Sequence, residues 1–475
     1  MQKQANRIRL DIVSSSSSED GAQYSNGEIN AELLAQLRHL PGRRTVWQTK
    51  IGENKVLLKI YHKHAKQTRD AEAEWENALR LAAADLSVPA PLFYAENDQG
   101  EIAVGFELIE GSQTLDHYLD IIGDAEKVLV QLFELHAHQH NNGCYQADDH
   151  LGNYLCKDGI IYMLDAGSCV FHDGWLPDED RLNNLAMLVA NIPLPFRRYL
   201  EGALARYLEL SKSGVEGESF AGELKAAIPA AIHTRLWKYY KKTRRSCTEF
   251  ERENGYGKTW LACRDLPAEL KSKLLDDPDQ FFADKALLKD GNTCTVVEVN
   301  SDGKKYVLKR YNKKPLGYRL THLLITPRAL RSWTSGHVLN LFGIRTPRPL
   351  ACLLLKSASL MDRAYLLMEK VSGVPLHEVE GGRITAAGSR IPAAFARRWR
   401  ELNTISATHG DMKASNFIVD AQGHLALIDL DGLKFDRSPR EHERRRLKDM
   451  ERFMRNWKDQ PELADAFIEA LSKEA

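Results

Sequence analysis

From about Glu32 onward, short runs with apolar residues at every second position alternate with longer runs whose apolar residues recur every three or four, the periods of strand and helix. NKVLLKIY at 54–61 reads as a strand, the charged AEAEWENALRL after it as a helix. VPAP at Val88–Pro91 returns the chain to extended backbone, because proline drives its predecessor out of the α region. The same order comes back later: KKYVLKRYN, then RALRSWTSGHVLNLFGI, then TPRP at Thr346–Pro349. Trp75 to Pro89 and Trp333 to Pro347 are both separated by fourteen positions (89 − 75 and 347 − 333), a spacing that marks an internal repeat. Ahead of all this, residues 1–30 are polar and include SSSSSED, which predicts a flexible tail with too little apolar area to order itself.

The repeat runs on. Each half has an apolar strand that ends in an acid and a glycine, VGFELIEG with Glu107 and YLLMEKVSG with Glu369. Helical sequence then leads to a polar loop holding Asp and Asn five apart, Asp148 and Asn153 in QADDHLGN, Asp411 and Asn416 in HGDMKASN. A hairpin-like pair of runs closes each copy, with Asp165 in IIYMLDAG and Asp429 in LALIDLDG, 17 and 18 residues after the loop aspartates (165 − 148 and 429 − 411). A shared order of Lys, Glu, Asp, Asn, Asp predicts two copies of one α+β fold, at 31–234 and 235–475. Two is also the count expected from length, since single cores rarely exceed about 250–300 residues. The stretch 175–235 is helical and carries the linker; a boundary as late as ENGYGK at 253–258 is the alternative.

Phosphoryl transfer needs phosphates held, their charge neutralised and an acceptor hydroxyl aligned. Asp411 is placed as the base for a hydroxyl. Asn416 and Asp429 offer the hard oxygens that magnesium prefers, Lys309 on its strand can bridge phosphates, and Lys413 adds positive charge beside the transferred group. Asp148, Asn153, Asp165, Lys59 and Glu74 form the corresponding set in the first half. HGDMKASNFIV followed by LALIDLDG resembles the catalytic loop and metal-binding segment of the protein-kinase-like superfamily. RALRSWTSGHVLNLFGIRTPRPLA and RRRLKDMERFMRNW are similar, more narrowly, to bacterial lipopolysaccharide core kinases acting on Kdo or heptose. The resemblance covers 235–470 well and 40–200 more loosely. It implies two tandem bilobal domains, each a small β-rich lobe followed by a helical one, with ATP and Mg²⁺ as cofactors. It also implies a sugar hydroxyl of a core oligosaccharide or lipid-linked precursor as acceptor, and work at the cytoplasmic face of a Gram-negative inner membrane. By the same resemblance Glu107 and Glu369 join the nucleotide-binding set.

The sequence departs from that pattern. Glu74 precedes Trp75, but Ser332 precedes Trp333, leaving Lys309 without the expected helix acid. Gln146 stands where the second half has His409, and His150 where it has Lys413. Gly52 and Gly291 are isolated, so neither half shows a glycine-rich phosphate loop. A pseudokinase scaffold that binds nucleotide or glycolipid without turnover is the rival reading; a protein kinase is disfavoured by the HGD loop and by the lack of an A-P-E-like segment after Asp429.

Lys+Arg and Asp+Glu both number 65, which removes nucleic acid as a bulk electrostatic partner. Seven scattered cysteines without a C-x-x-C pair argue for reduced thiols in a cytoplasmic protein. No run reaches the ~18 apolar residues of a membrane span. Two basic clusters, Arg235 to Arg245 and Arg437 to Lys448, are candidate contacts for an anionic membrane surface, against the commoner role of a solvated helix face.

Overall fold

In NKVLLKIY the even positions Val56, Leu58 and Ile60 face one side of a strand and Leu57, Lys59 and Tyr61 the other. A computed structural model, which describes residues 7–18, 21, 23–24, 27–121, 124–212, 217–283, 287–313, 325–357, 360–382 and 390–473, shows what each side meets. The chain divides into two units, Met1–Ala231 and Ile232–Ala475, each mixing strands and helices.

In the first unit six antiparallel strands close a barrel in the order Arg7–Ser15, Glu28–Leu40, Arg44–Ile51, Asn54–Tyr61, Ile102–Glu107, Pro91–Glu96. Val56, Leu58 and Ile60 fill its interior with Leu10, Ala31, Phe93 and Ala103. Leu57 and Tyr61 pack outside it against the helix Gln67–Ala83, whose buried face is Ala71, Glu74, Trp75, Ala78 and Leu81. That face follows the three-to-four residue period expected of an amphipathic helix. Helices Ala125–Asn141, Asp178–Asn191 and Leu200–Leu210 come later in the unit.

The predicted tail is corrected by the barrel. Arg7–Ser15 pairs with Glu28–Leu40 on one side and Pro91–Glu96 on the other, so it is the strand that closes the ring. Ile8, Leu10 and Ile12 alternate inward, and burial of that row, with Arg7–Asp11 paired to one neighbour and Asp11–Ser15 to the other, supplies the order that the serine run lacks. Residues 1–6 of that stretch lie outside the described ones.

In the second unit seven antiparallel strands run Phe250–Gly255, Lys258–Cys263, Pro349–Ser357, Leu360–Glu369, Lys304–Tyr311, Cys294–Ser301, Leu287–Asp290. Tyr306 and Leu308 face one core with Trp260 and Leu353. Tyr311 faces the other, with Trp333 of the helix Arg328–Leu341. Trp333 is fully buried and donates its indole N–H to the Thr243 carbonyl at 2.7 Å, a packing and anchoring role. Toward the C-terminus, Phe395 stacks on Phe453 at 3.7 Å between ring centroids, with Phe417, Trp457 and Phe467 around them. Among the described residues no helix is long and apolar enough to cross a membrane.

Candidate active site

Strand alternation puts Lys309 and Tyr311 on the face turned to the helix Arg328–Leu341, and the αL backbone of Asp429 (φ 57°) opens a tight turn that brings its carboxylate to the same place. Lys309 Nζ lies 2.6 Å from Asp429 Oδ1 and 3.0 Å from Asp431 Oδ2. Burial pulls the Lys309 ammonium down, but Asp431, and after it Asp429, outweigh that and hold it above its ordinary value. Burial likewise pushes the Asp431 carboxyl up, and Lys309, the Tyr311 hydroxyl and Arg328 bring it below the usual range.

A cleft of about 470 Å³ opens over these groups. Lys309, Asn416, Asp429, Asp431 and the strand-ending Glu369 line it, and apolar contacts come from Val296, Leu366, Met368, Ile418 and Ile428. Its volume falls within the roughly 300–1,000 Å³ of small-ligand sites, and apolar walls with few polar groups suit a purine at one end and phosphates at the other. Asn416 donates its amide N–H to the Asp411 carbonyl at 2.8 Å, which turns its side-chain oxygen the other way. That oxygen and the Asp429 carboxylate are the hard donors that fit a magnesium ion.

Asp411 is half-exposed and held from two sides, by Lys413 at 3.0 Å and by Arg452 at 3.6 Å. Its loop is braced from below. His409 Nε2 donates to the Ile428 carbonyl at 3.0 Å and Nδ1 accepts the Asp411 N–H at 3.3 Å. Buried Asp449 accepts the N–H of His409 at 2.7 Å and of Gly410 at 3.0 Å. Gly410 has φ +79°, and a Cβ there would stand 2.8 Å from the Gly432 carbonyl oxygen, so glycine is required.

The first unit brings together the same kinds of residue. Lys59 is ion-paired with Glu74 and lies 3.6 Å from Asp165, itself in αL at φ 60°. Asn153 donates to the Asp148 carbonyl at 2.8 Å, and His150 lies 3.8 Å from the Asp148 carboxylate. Gln146, read above as a departure, donates to the Leu164 carbonyl at 2.6 Å and so makes the bond that His409 makes to Ile428. Glu107 caps the end of its strand near the Ala90 N–H and does not line the small cavity beside Lys59.

What differs is Arg44. Its guanidinium lies 3.1 Å from Asp165 and 3.8 Å from Glu74. Burial pushes the Asp165 carboxyl up, but Lys59, Arg44 and Arg38 hold it far below the ordinary range. The cavity among Lys59, Glu74, Phe106 and Asp165 is about 20 Å³, room for a water molecule or so. Arg44 pairs across the sheet with Tyr61; at the matching place in the second unit Cys294 pairs with Tyr311. Arg44, Asp431 and Asp449 all escape sequence reasoning. For Arg44 a signal was present, since it precedes Lys59 by the same 15 residues (59 − 44) that separate Cys294 from Lys309 (309 − 294).

Residues 286–473 match the model of the lipopolysaccharide kinase (Kdo/WaaP) family. No curated protein matches the chain. Among solved structures, that of the bifunctional kinase-methyltransferase WbdD is similar at 17% identity and a TM-score of 0.30, over 42% of this chain and 47% of that one. The chain thus spans less than half of that protein, and at this TM-score the likeness adds nothing to the family match. The region that holds Lys309, Asp411, Asn416 and Asp429 is thus similar to the lipopolysaccharide kinase (Kdo/WaaP) family.

Proposed function

We propose that both units are kinase-like bilobal folds and that the second transfers the γ-phosphate of ATP to a Kdo or heptose hydroxyl of the lipopolysaccharide inner core, while the first does not turn nucleotide over. One contrast carries the reading: the second unit has a cleft of about 470 Å³ over Lys309 and Asp429, whereas the first has about 20 Å³ and a guanidinium against Asp165. Beyond the lysine that each unit sets beside its αL aspartate, Arg44 is an additional cation at Asp165 and would compete with a metal for that carboxylate.

In the second unit Asp411 would orient the acceptor hydroxyl and take its proton. Lys309 would hold nucleotide phosphates, Glu369 would sit at the adenine end, and Asn416 with Asp429 would hold Mg²⁺. The bound ion neutralises phosphate charge and fixes the geometry of transfer. Lys413 and Arg452 would keep the Asp411 side chain aimed. Work at the cytoplasmic face of a Gram-negative inner membrane, on core oligosaccharide or a lipid-linked precursor and without nucleic acid, follows from the same reading. Contact with an anionic membrane surface would fall to the basic stretches at 235–245 and 437–448, at about 1 kcal/mol per basic residue; in the first, Lys242 is ion-paired with Glu249. In the second cluster Arg444, Arg445 and Arg446 are each ion-paired with nearby acids.

The test is Mg²⁺-dependent ATP turnover with core oligosaccharide, with casein and without acceptor. Asp411→Ala should lower sugar phosphorylation by ~10²–10⁴-fold, the usual worth of a general base, and Asp148→Ala should leave it unchanged. Phosphate on casein but not on oligosaccharide would end the sugar-kinase reading; the reverse response of the two alanine variants would move catalysis to the first unit.

A further inference from the structure

Lys309 has no acid on its neighbouring helix, yet it is not short of one. We propose that Asp431 is the positioning carboxylate of Lys309, set in the loop after Asp429 to do what Glu74 does for Lys59 from a helix. The proposal rests on the reading of the second unit as an ATP-dependent kinase.

The two arrangements are reciprocal. In the first unit the helix position before Trp75 carries Glu74, and the loop position two after the αL aspartate carries Gly167. Glu74 is paired with Lys59, accepts the Gly167 N–H at 3.2 Å and lies 3.4 Å from the Tyr61 hydroxyl. A Cβ on Gly167 would stand 2.9 Å from Glu74 Oε2, so with the acid on the helix the loop has no room for a side chain. In the second unit the helix residue shrinks to Ser332 and the loop residue grows to Asp431. Asp431 fills the vacated volume and takes over the same partners: Lys309 at 3.0 Å, the Tyr311 hydroxyl at 2.6 Å and, from the helix that lost its acid, the Ser332 hydroxyl at 2.7 Å. Arg328, in the first turn of that helix, adds a bond at 2.8 Å.

A second acid so close to Asp429 could instead be a metal ligand, and the hydrogen bonds decide against that. Both oxygens of Asp431 are engaged by four donors and its side chain is 8% exposed, so turning it to a cation would break buried bonds. Asp429 is 29% exposed and its described partner is Lys309 alone. The pair therefore divides its labour: Asp429 can leave Lys309 for a metal, and Asp431 stays to hold the ammonium where phosphates arrive.

The experiment uses the full chain. Mg²⁺–ATP affinity is measured by calorimetry, KM and kcat are measured with oligosaccharide acceptor, and acylation of Lys309 by an amine reagent is followed by peptide mass spectrometry. The isosteric Asp431→Asn should weaken Mg²⁺–ATP binding by about tenfold to a hundredfold, the worth of one charge-assisted hydrogen bond. It should also speed Lys309 acylation, because the ammonium loses a neighbouring charge. Asp431→Gly should do the same, and adding Ser332→Glu to it, which rebuilds the first unit's arrangement, should recover most of the loss in both readouts. Wild-type affinity and acylation rate in Asp431→Asn would overturn the proposal, as would a double variant no better than Asp431→Gly. Lys309→Met separates the two levels. If wild type binds Mg²⁺–ATP and Lys309→Met weakens it while Asp431→Asn does not, this proposal alone fails; if wild type binds none, the kinase reading falls and this one with it.

Discussion

Removal of the Asp449 carboxylate should loosen the His409–Asn416 loop of the second unit by a predictable amount. Asp449 stands on the helix Pro439–Met454, is 2% exposed, and its oxygens accept the backbone N–H of His409 at 2.7 Å and of Gly410 at 3.0 and 3.1 Å. In Asp449→Ala both N–H groups lose their acceptor, at a cost of roughly 1–3 kcal/mol each, so about 2–6 kcal/mol in all. Set against the ~5–15 kcal/mol by which domains are usually stable, that is a large share. Asp449→Asn keeps the volume and one acceptor oxygen but turns an amide NH₂ toward a backbone donor, for a loss of about 1–3 kcal/mol. Two assays read this out. Urea unfolding should show a lowered midpoint for one transition, and hydrogen exchange should show lost protection in peptides that span His409 to Asn416. Turnover should fall with the exchange protection, because Asp411 is carried by the same backbone. An alanine variant with the wild-type midpoint and an equally protected loop would refute the idea that Asp449 holds it.

Two further outcomes follow from the geometry. Cys294→Arg places a guanidinium where the first unit has Arg44, and should cut Mg²⁺–ATP affinity by about a hundredfold or more, the scale of one strongly desolvated ion pair at Asp429; calorimetry with unchanged affinity would count against Arg44 as what disables the first unit. His337 lies buried between Phe250 and Trp333, at 4.7 and 4.3 Å between rings, and burial, with Arg348 adding to it, pushes its imidazole down to about 3. The unfolded chain therefore takes up a proton near pH 6.5 that the folded one refuses, so stability falls as pH drops from about 6.5 toward 3, by about 2 kcal/mol between pH 7 and 5. His337→Leu should flatten that slope in urea midpoints taken at pH 7, 6 and 5, and an unchanged slope would count against a neutral buried imidazole.

The sequence carried the parts of the site that repeat. Lys59 and Lys309, the loop pairs Asp148/Asn153 and Asp411/Asn416, and the later Asp165 and Asp429 recur at matched intervals, and alternation placed both lysines on strands. The seven-stranded sheet and the closed barrel were not legible, because strand partners such as Arg7–Ser15 with Pro91–Glu96 lie far apart in sequence and the serine run masked the alternation of Ile8, Leu10 and Ile12. Asp431 was in view as the last acid of I-D-x-D, yet the direction of its side chain depends on a 3-10 turn and on the emptiness beside Ser332, and both are tertiary facts. Arg44 is not singled out by the sequence motifs, since its partner Asp165 is 121 residues away.

The exchange of Glu74 and Gly167 for Ser332 and Asp431 also constrains how one arrangement could ever be converted into the other. Changing the loop first would crowd two carboxylates into one buried space around a single lysine, where one of them must take up a proton to remain. Changing the helix first would leave that lysine with only the aspartate of the αL turn. Either single step passes through an impaired site, so the two halves of this chain are separated by a valley that only a paired substitution crosses cleanly.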